Sequence, residues 1–297
     1  MRLRTHPGFR LFWAASTVSD FGSEITTLAL RVLVVTTLAG SSADVGLVNA
    51  ARWVPYLLFG VLVGALADRV RRRPLLVGTD LVRAGLLRIE VEDRPAPARA
   101  PLRREMREAM AWVYGHRMLR PLALITHGWT LFAAFVGAVY VPYGLKELGF
   151  SPLGLGITLA AAGIGGLLGS GLSERLGRRP GRTVPAAWVL GAVGVAVVAL
   201  APVGGLAVVA AGQFLSGTAL GLSSPLELSF RQAVTPDRLQ ARMNATMRSF
   251  NRAAVVIGAP TGGLIADTYG YRPALGLAAA GTAAAGLALA ASPFRNA

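Results

Sequence analysis

An all-helical, polytopic membrane fold is what this 297-residue chain predicts, on three observations. Hydrophobic residues make up 53% of it and charged residues only 15%, with a mean hydropathy of +0.52. A soluble domain usually carries about a quarter charged residues, so the balance argues against a soluble enzyme. Nearly uncharged stretches of bilayer-spanning length recur along the chain, the second observation. The third is the charge: 30 Lys+Arg against 15 Asp+Glu, a formal net charge of +15. A nucleic-acid binder or a polytopic membrane protein could carry that sum, and the placement of the cations decides between them.

The opening, Met1 to Arg10, is basic and runs into a first span at 11–38. That stretch is too long for a signal peptide and lacks a small-residue cleavage site, so it reads as a retained helix. A second span follows at 44–66. Pro74–Arg88 begins like a third, but it stops after fifteen residues and carries Asp80, Arg83 and Arg88. It is too short to cross a bilayer. Residues 101–116 read as an amphipathic helix on the cytoplasmic membrane surface. Leu102, Met106, Met110 and Val113 would share one face and Arg103, Arg104, Arg107 and Glu108 the others, with the arginines turned toward anionic lipid. Six further spans are expected at 119–142, 153–172, 183–201, 204–226, 245–266 and 273–292, separated by short breaks of Gly, Pro, Ser or charge.

With eight spans, 25 of the 30 cations fall on one side. They cluster before the first span, after the second, before the third, between the fourth and fifth, around the break before the seventh, and at Arg295. Lys146 and Arg272 mark the other side. Cationic loops stay in the cytoplasm, which places both termini there in a cell (inner or cytoplasmic) membrane. The basicity is topological, and no basic face with interleaved aromatics suggests nucleic acid. The chain has no cysteine, and His6, His116 and His127 lie far apart, so no metal site is expected. No phosphate-binding loop, zinc pattern or nucleophile elbow is present, so neither an enzyme nor a cofactor is expected.

Two arginine-rich loops repeat each other. Gly64-Ala-Leu-Ala-Asp68-Arg69-Val-Arg71-Arg72-Arg73-Pro74 and Ser170-Gly-Leu-Ser-Glu174-Arg175-Leu-Gly177-Arg178-Arg179-Pro180 share a small residue, an acid four positions on, an arginine, then a basic cluster ending in proline. Such repeats mark transporters built from duplicated halves. The first resembles the loop between the second and third helices of major facilitator superfamily transporters, and the second its weaker copy between the eighth and ninth. The stretch Phe230–Arg248, the opening Phe9-Arg-Leu-Phe-Trp13 through Gly22, and the tail from Tyr271-Arg-Pro-Ala to Ser292-Pro-Phe-Arg295 resemble the efflux branch that contains the macrolide and enterobactin exporters.

This resemblance implies twelve spans in two six-helix halves, yet the acids Asp68 and Glu174 lie only 106 residues apart, with two full spans between them. The truncated third helix also runs directly into Ile89-Glu-Val-Glu-Asp-Arg-Pro-Ala-Pro, which resembles the linker after helix six. We infer that most of helix three through helix six is absent near Arg88/Ile89, leaving a major facilitator fold shortened internally to about eight spans. A natural eight-span protein is the alternative. Residues 1–88 would then be the remnant of the N-terminal half, 89–117 a cytoplasmic linker, and 118–297 a complete C-terminal six-helix half.

Asp20, Glu24 and Arg31 in the first span fall within about 40° of one another at 100° per residue. Charges at mid-bilayer are costly unless paired or facing water, so they suggest a polar seam toward the bundle interior, with Arg52 the nearest extra cation. The seam is either a proton or substrate site, or an acid–arginine cluster that joins two helices. Gln213 could face the transport cavity, and Glu227, two residues after Pro225, suits either an interfacial role or a transport role. The resemblance implies a gating loop of Gly64, Asp68, Arg69 and Arg72, echoed by Glu174, Arg175 and Arg178. In it Asp68 would meet a helix start near Asn244, although Arg71 stands where the family normally has Gly. Gly165 and Gly169 have the spacing of tight helix packing, and Gly258, Pro260, Gly262 and Gly263 make a bendable helix middle. The partners expected are the lipid bilayer, a small amphipathic substrate (drug-like or siderophore-like) and protons, in a secondary exporter working by alternating access. A non-transporting remnant or membrane scaffold is the alternative.

Overall fold

The computed structural model describes residues 7–67 and 102–297, with side-chain surroundings for most of them. It is helical throughout: α1 is Pro7–Thr36, α2 Ser42–Ala67, α3 Leu102–Gly115, α4 Leu119–Pro142, α5 Pro152–Leu176, α6 Pro180–Ala199, α7 Leu206–Val234, α8 Asp237–Tyr269 and α9 Tyr271–Ala291. The eight expected spans coincide with α1, α2 and α4–α9. Five of these, α4 with its continuation to Glu147, α5, α6, α7 and α9, are long and apolar enough to cross a membrane by length and composition. The abortive third helix at 74–88, the linker at 89–101, and Asp68, Arg69 and Arg72 lie outside the described residues.

Local chemistry sets the helix ends. Ser151 caps α5 by accepting from the Gly154 N–H at 3.2 Å, and Pro152 occupies the first helical position, where its missing N–H costs nothing. Pro142 removes a donor near the end of α4, and the chain continues as a π-turn over Tyr143–Glu147. Gly270, at φ +97° and ψ 163°, is the single residue between α8 and α9; only glycine adopts that backbone without strain.

Close backbone approach holds the bundle together. A Cβ on Gly165 or Gly169 of α5 would run into the carbonyls of Phe214 and Thr218, and one on Gly217 or Gly221 of α7 into those of Ala162 and Gly166. The glycine pair expected on α5 thus meets a reciprocal pair on α7 that the sequence reading did not single out. α7 also packs on α6, α6 on α9, and α9 on α4, while α4 and α2 both lie against α8.

The amphipathic helix also makes contacts within the bundle. Ala109 and Val113 of α3 are buried, and Val113 joins Ala123, Met243 and Met247 in a small apolar cluster. Part of the apolar face of α3, at Val113, is therefore spent on α4 and α8, while Met110 stays 37% exposed. Glu108 pairs with Arg238 at 2.5 Å, and the Tyr114 hydroxyl lies 3.1 Å from His127 Nε2, whose Nδ1 is 2.6 Å from Asn251 Oδ1.

At the opposite end of the bundle, α2 begins on a complete set of caps. Ser41 Oγ accepts from the Asp44 N–H at 3.2 Å while Asp44 Oδ2 accepts from the Ser41 N–H at 2.8 Å, a reciprocal capping box. The Ser42 and Ala43 N–H groups donate across to the two carboxylate oxygens of Asp267 in α8, at 2.9 and 2.8 Å. Lys146 Nζ donates to the Gly40 carbonyl at 2.7 Å, and Arg272 Nε to Glu147 Oε1 at 2.7 Å. Burial raises the Asp267 pKa, but the N–H donors of Ala43 and Ser42 and the hydroxyls of Ser41 and Ser42 outweigh it, and the net shift is downward.

Two outcomes are expected. Because the folded Asp267 carboxyl titrates below its ordinary 3.8, its stabilisation is fully present above that value and is lost as pH falls through the lower folded value. Asp267→Asn should therefore lower the thermal midpoint in detergent at pH 7, by the equivalent of about 1 kcal/mol or less for this largely solvent-facing cap. The gap to the parent chain should close under strongly acid conditions. Gly217→Val should cost more, roughly 1–3 kcal/mol or above, because the facing carbonyl has no room to yield. Its check is loss of the folded monomer peak in detergent size-exclusion chromatography.

Candidate functional site

Polar groups from both ends of the chain converge where α1 and α2 meet α4 and α8. Arg31 is half-buried on α1, with Glu24 and Arg52 the charges that act on it. Its guanidinium lies 3.9 Å from where a Cβ on Gly137 of α4 would stand, and Asn49 of α2 lies 3.5 Å from the same point, so the missing side chain makes room for both. Arg52 Nη1 donates to Thr27 Oγ1, tying α2 to α1. The Arg52 guanidinium lies 5.3 Å from the Trp53 ring centroid, and Arg252 of α8 sits over the same indole at 3.4 Å. Arg31 and Arg52 thus fall in one seam, with Glu24 exposed beside it. The Asp20 side chain lies outside the described residues.

A second feature lies wholly within the C-terminal helices. Between α4, α6, α7 and α9 is a cavity of about 230 Å³, walled by Trp129, Trp188, Val136 and Ala219 and edged by Gln213 and Thr282. Gln213 therefore faces a cavity, though one inside this bundle; its side chain hydrogen-bonds Tyr140, whose hydroxyl is 2.5 Å from Thr158 Oγ1. The two indoles stack with centroids 5.5 Å apart and planes 24° from parallel. Trp188 Nε1 donates to Glu227 Oε1 at 3.1 Å. Glu227 is only 9% exposed, with Arg231 one helical turn away as the nearest acting cation. The Glu227 carboxylate is thus buried within the bundle and holds an indole in place. The driving reason is tertiary, since α6 brings Trp188 to this turn of α7.

Of the gating set, Glu174, Arg175 and Arg178 are exposed at and just beyond the C-terminal end of α5. Gly64 lies in α2 with its surroundings outside the described residues, as are Asp68, Arg69 and Arg72. The helix start expected near Asn244 is corrected. α8 begins at Asp237 behind Pro236, so Asn244 sits two turns inside. The sequence reading missed Asp267, Trp53, Arg252 and the Trp129/Trp188 pair. An isolated acid at the edge of an apolar stretch, and tryptophans within predicted spans, were the signals that could have found them.

A polar seam set among long apolar helices, with more than four such helices in one bundle, defines a multi-pass membrane protein. The family described as Major Facilitator Superfamily matches residues 90–296, and the one described as Transmembrane secretion effector matches residues 3–92. The chain belongs to the major facilitator superfamily. It is 32% identical over 74 residues to macrolide efflux protein A of Streptococcus pyogenes, covering 25% of this chain and 18% of that protein. The same protein from S. pyogenes serotype M6 aligns equally. The aligned stretch spans less than a fifth of those relatives. No solved structure matches the chain.

Glu227→Ala should leave the Trp188 N–H buried without its acceptor and cost roughly 1–3 kcal/mol, while Glu227→Gln, which keeps an oxygen acceptor, should cost less. Thermal unfolding in detergent, followed by tryptophan fluorescence, distinguishes the two.

Proposed function

We propose that this chain descends from, and in its complete form is, a secondary exporter that moves a small amphipathic compound outward in exchange for protons by alternating access. The observation that carries the reading is the polar seam of Arg31, Arg52, Asn49 and Thr27 at the junction of the N-terminal helices with α4 and α8. Ionisable groups inside membrane helices are expensive and are kept for ion or substrate pathways. Glu24, with Asp20 beside it in sequence, supplies the carboxylates that would bind and release protons, and Arg31 and Arg52 would bias them between states. The positive-inside pattern supports cytoplasmic termini and a cytoplasmic-membrane location. The macrolide efflux relative supports an amphipathic substrate of drug-like chemistry.

In this reading residues 1–88 are what remains of the N-terminal half, 89–117 the linker and 118–297 the C-terminal half. That division is supported by the hand-over between the two family matches at 90–92. One observation favours a second reading, a non-transporting remnant or scaffold. Asp68 and Glu174 lie 106 residues apart, too few for the six helices that separate such loops in a two-half transporter. A central pathway needs both walls.

Efflux of a fluorescent amphipathic drug from proteoliposomes under an imposed pH gradient tests both readings, with this chain run beside a version carrying four restored helices. Export by both supports the first reading; export by the restored version alone supports the second. In whichever version is active, Asp20→Asn combined with Glu24→Gln should abolish pH-driven efflux, and unchanged transport by that variant would remove proton coupling through this seam.

A further inference from the structure

We propose that the cavity between α4, α6, α7 and α9 is a binding site for a neutral, planar aromatic molecule of one or two rings. The proposal uses only residues of the C-terminal helices, so it holds whichever reading of transport is correct.

Size comes first. About 230 Å³ exceeds the roughly 150 Å³ engineered cavity that takes up benzene, yet it falls short of the roughly 300–1,000 Å³ pockets that enclose drug-sized ligands. Protein interiors seldom keep voids much larger than a water molecule, because an unfilled wall forfeits its dispersion contacts. This space, open in part to the surface of the bundle, is walled on one side by two large, flat side chains stacked on each other. Small residues make part of its other walls: Ala133, Ala187 and Gly191 face it where longer side chains would close it.

Shape comes from the indoles. Trp129 and Trp188 stack at 24°, and the bond from Trp188 Nε1 to the buried Glu227 fixes that ring against rotation. The wall is thus preorganised for a flat π-system. Leu220, 52% exposed and part of the lining, marks where the cavity reaches the surface of the bundle.

Polarity restricts the ligand further. None of the lining residues is charged, and Glu227 stands behind Trp188 rather than in the lining. A charged ligand would lose its hydration with no partner in return. Two of the three hydroxyls that edge the cavity have already spent their protons: Thr282 donates to the Ala278 carbonyl at 2.8 Å and Ser216 to the Gly191 carbonyl at 3.3 Å. What they have left to offer is acceptor lone pairs, which suits a ligand bearing a single N–H or O–H donor.

The test is equilibrium binding to the purified chain in lipid nanodiscs, with empty nanodiscs subtracted. The probes are phenol, 1-naphthol and 1-hydroxypyrene, together with naphthalene-1-sulfonate and 1-naphthylmethylammonium as charged comparisons. Saturable one-to-one binding is expected for 1-naphthol, tighter than for phenol. 1-Hydroxypyrene should bind at least tenfold more weakly than 1-naphthol, as should both charged probes. Ala133→Phe, which fills the cavity, should weaken 1-naphthol at least tenfold. The size cut-off is read on the unaltered chain and so stands even if that variant fails to fold. Uptake that rises steadily through 1-hydroxypyrene, as partition into lipid does, would overturn the proposal. So would charged probes binding as well as 1-naphthol, or a folded Ala133→Phe chain binding it undiminished.

Discussion

The contact between α5 and α7 rests on backbone, not side chains. In a bilayer, lipid tails are as apolar as leucine, so helices gain little by burying apolar side chains against each other. What remains is close van der Waals approach, and Gly165, Gly169, Gly217 and Gly221 permit it by leaving the opposing carbonyls unobstructed. The same device recurs where Gly194 and Gly212 bring α6 to α7, and where Gly46 and Gly263 bring α2 to α8. Large apolar side chains such as Leu153 at 75% and Leu167 at 78% exposed are left to face outward. Because α7 is held tightly by α5 and α6, the space facing α4 and α9 is not filled by collapse, and the tryptophan-walled cavity persists there.

Charge is handled in three different ways in this fold, each set by what lies within reach. Asp267 accepts from the first backbone N–H groups of another helix, at the end where the helix dipole is positive. Glu227, deep in the bundle, accepts from an indole and stands near a cation one turn away. The arginines of the seam use a hydroxyl and an aromatic face, as Arg52 does with Thr27 and Arg252 with Trp53. Each charge is therefore tied to two elements, and the three sites fall at one end, the interior and the seam between the two parts of the chain.

Much of this was legible in the residues alone. Eight apolar stretches were enough to place α1, α2 and α4–α9, because a bilayer demands continuous apolar helices and tolerates little else. The motif-rich loops and tail pointed to the major facilitator superfamily, and the shared face of Glu24 and Arg31 followed from helical periodicity. The amphipathic pattern of α3 was equally plain, yet its partner was not. Periodicity states that a face is apolar; whether Val113 meets lipid or Met243 depends on where α8 runs.

Composition and periodicity by themselves determined that this chain is a bundle of membrane helices, since both properties act along a single helix at a time. Only the tertiary structure decided that Asp267 caps α2, that Gly217 and Gly221 answer Gly165 and Gly169, and that Glu227 holds Trp188. It decided too that space remains between Trp188 and α4. Those are pairings across 39 to 225 residues of sequence, and their energies depend on distances that no single helix contains.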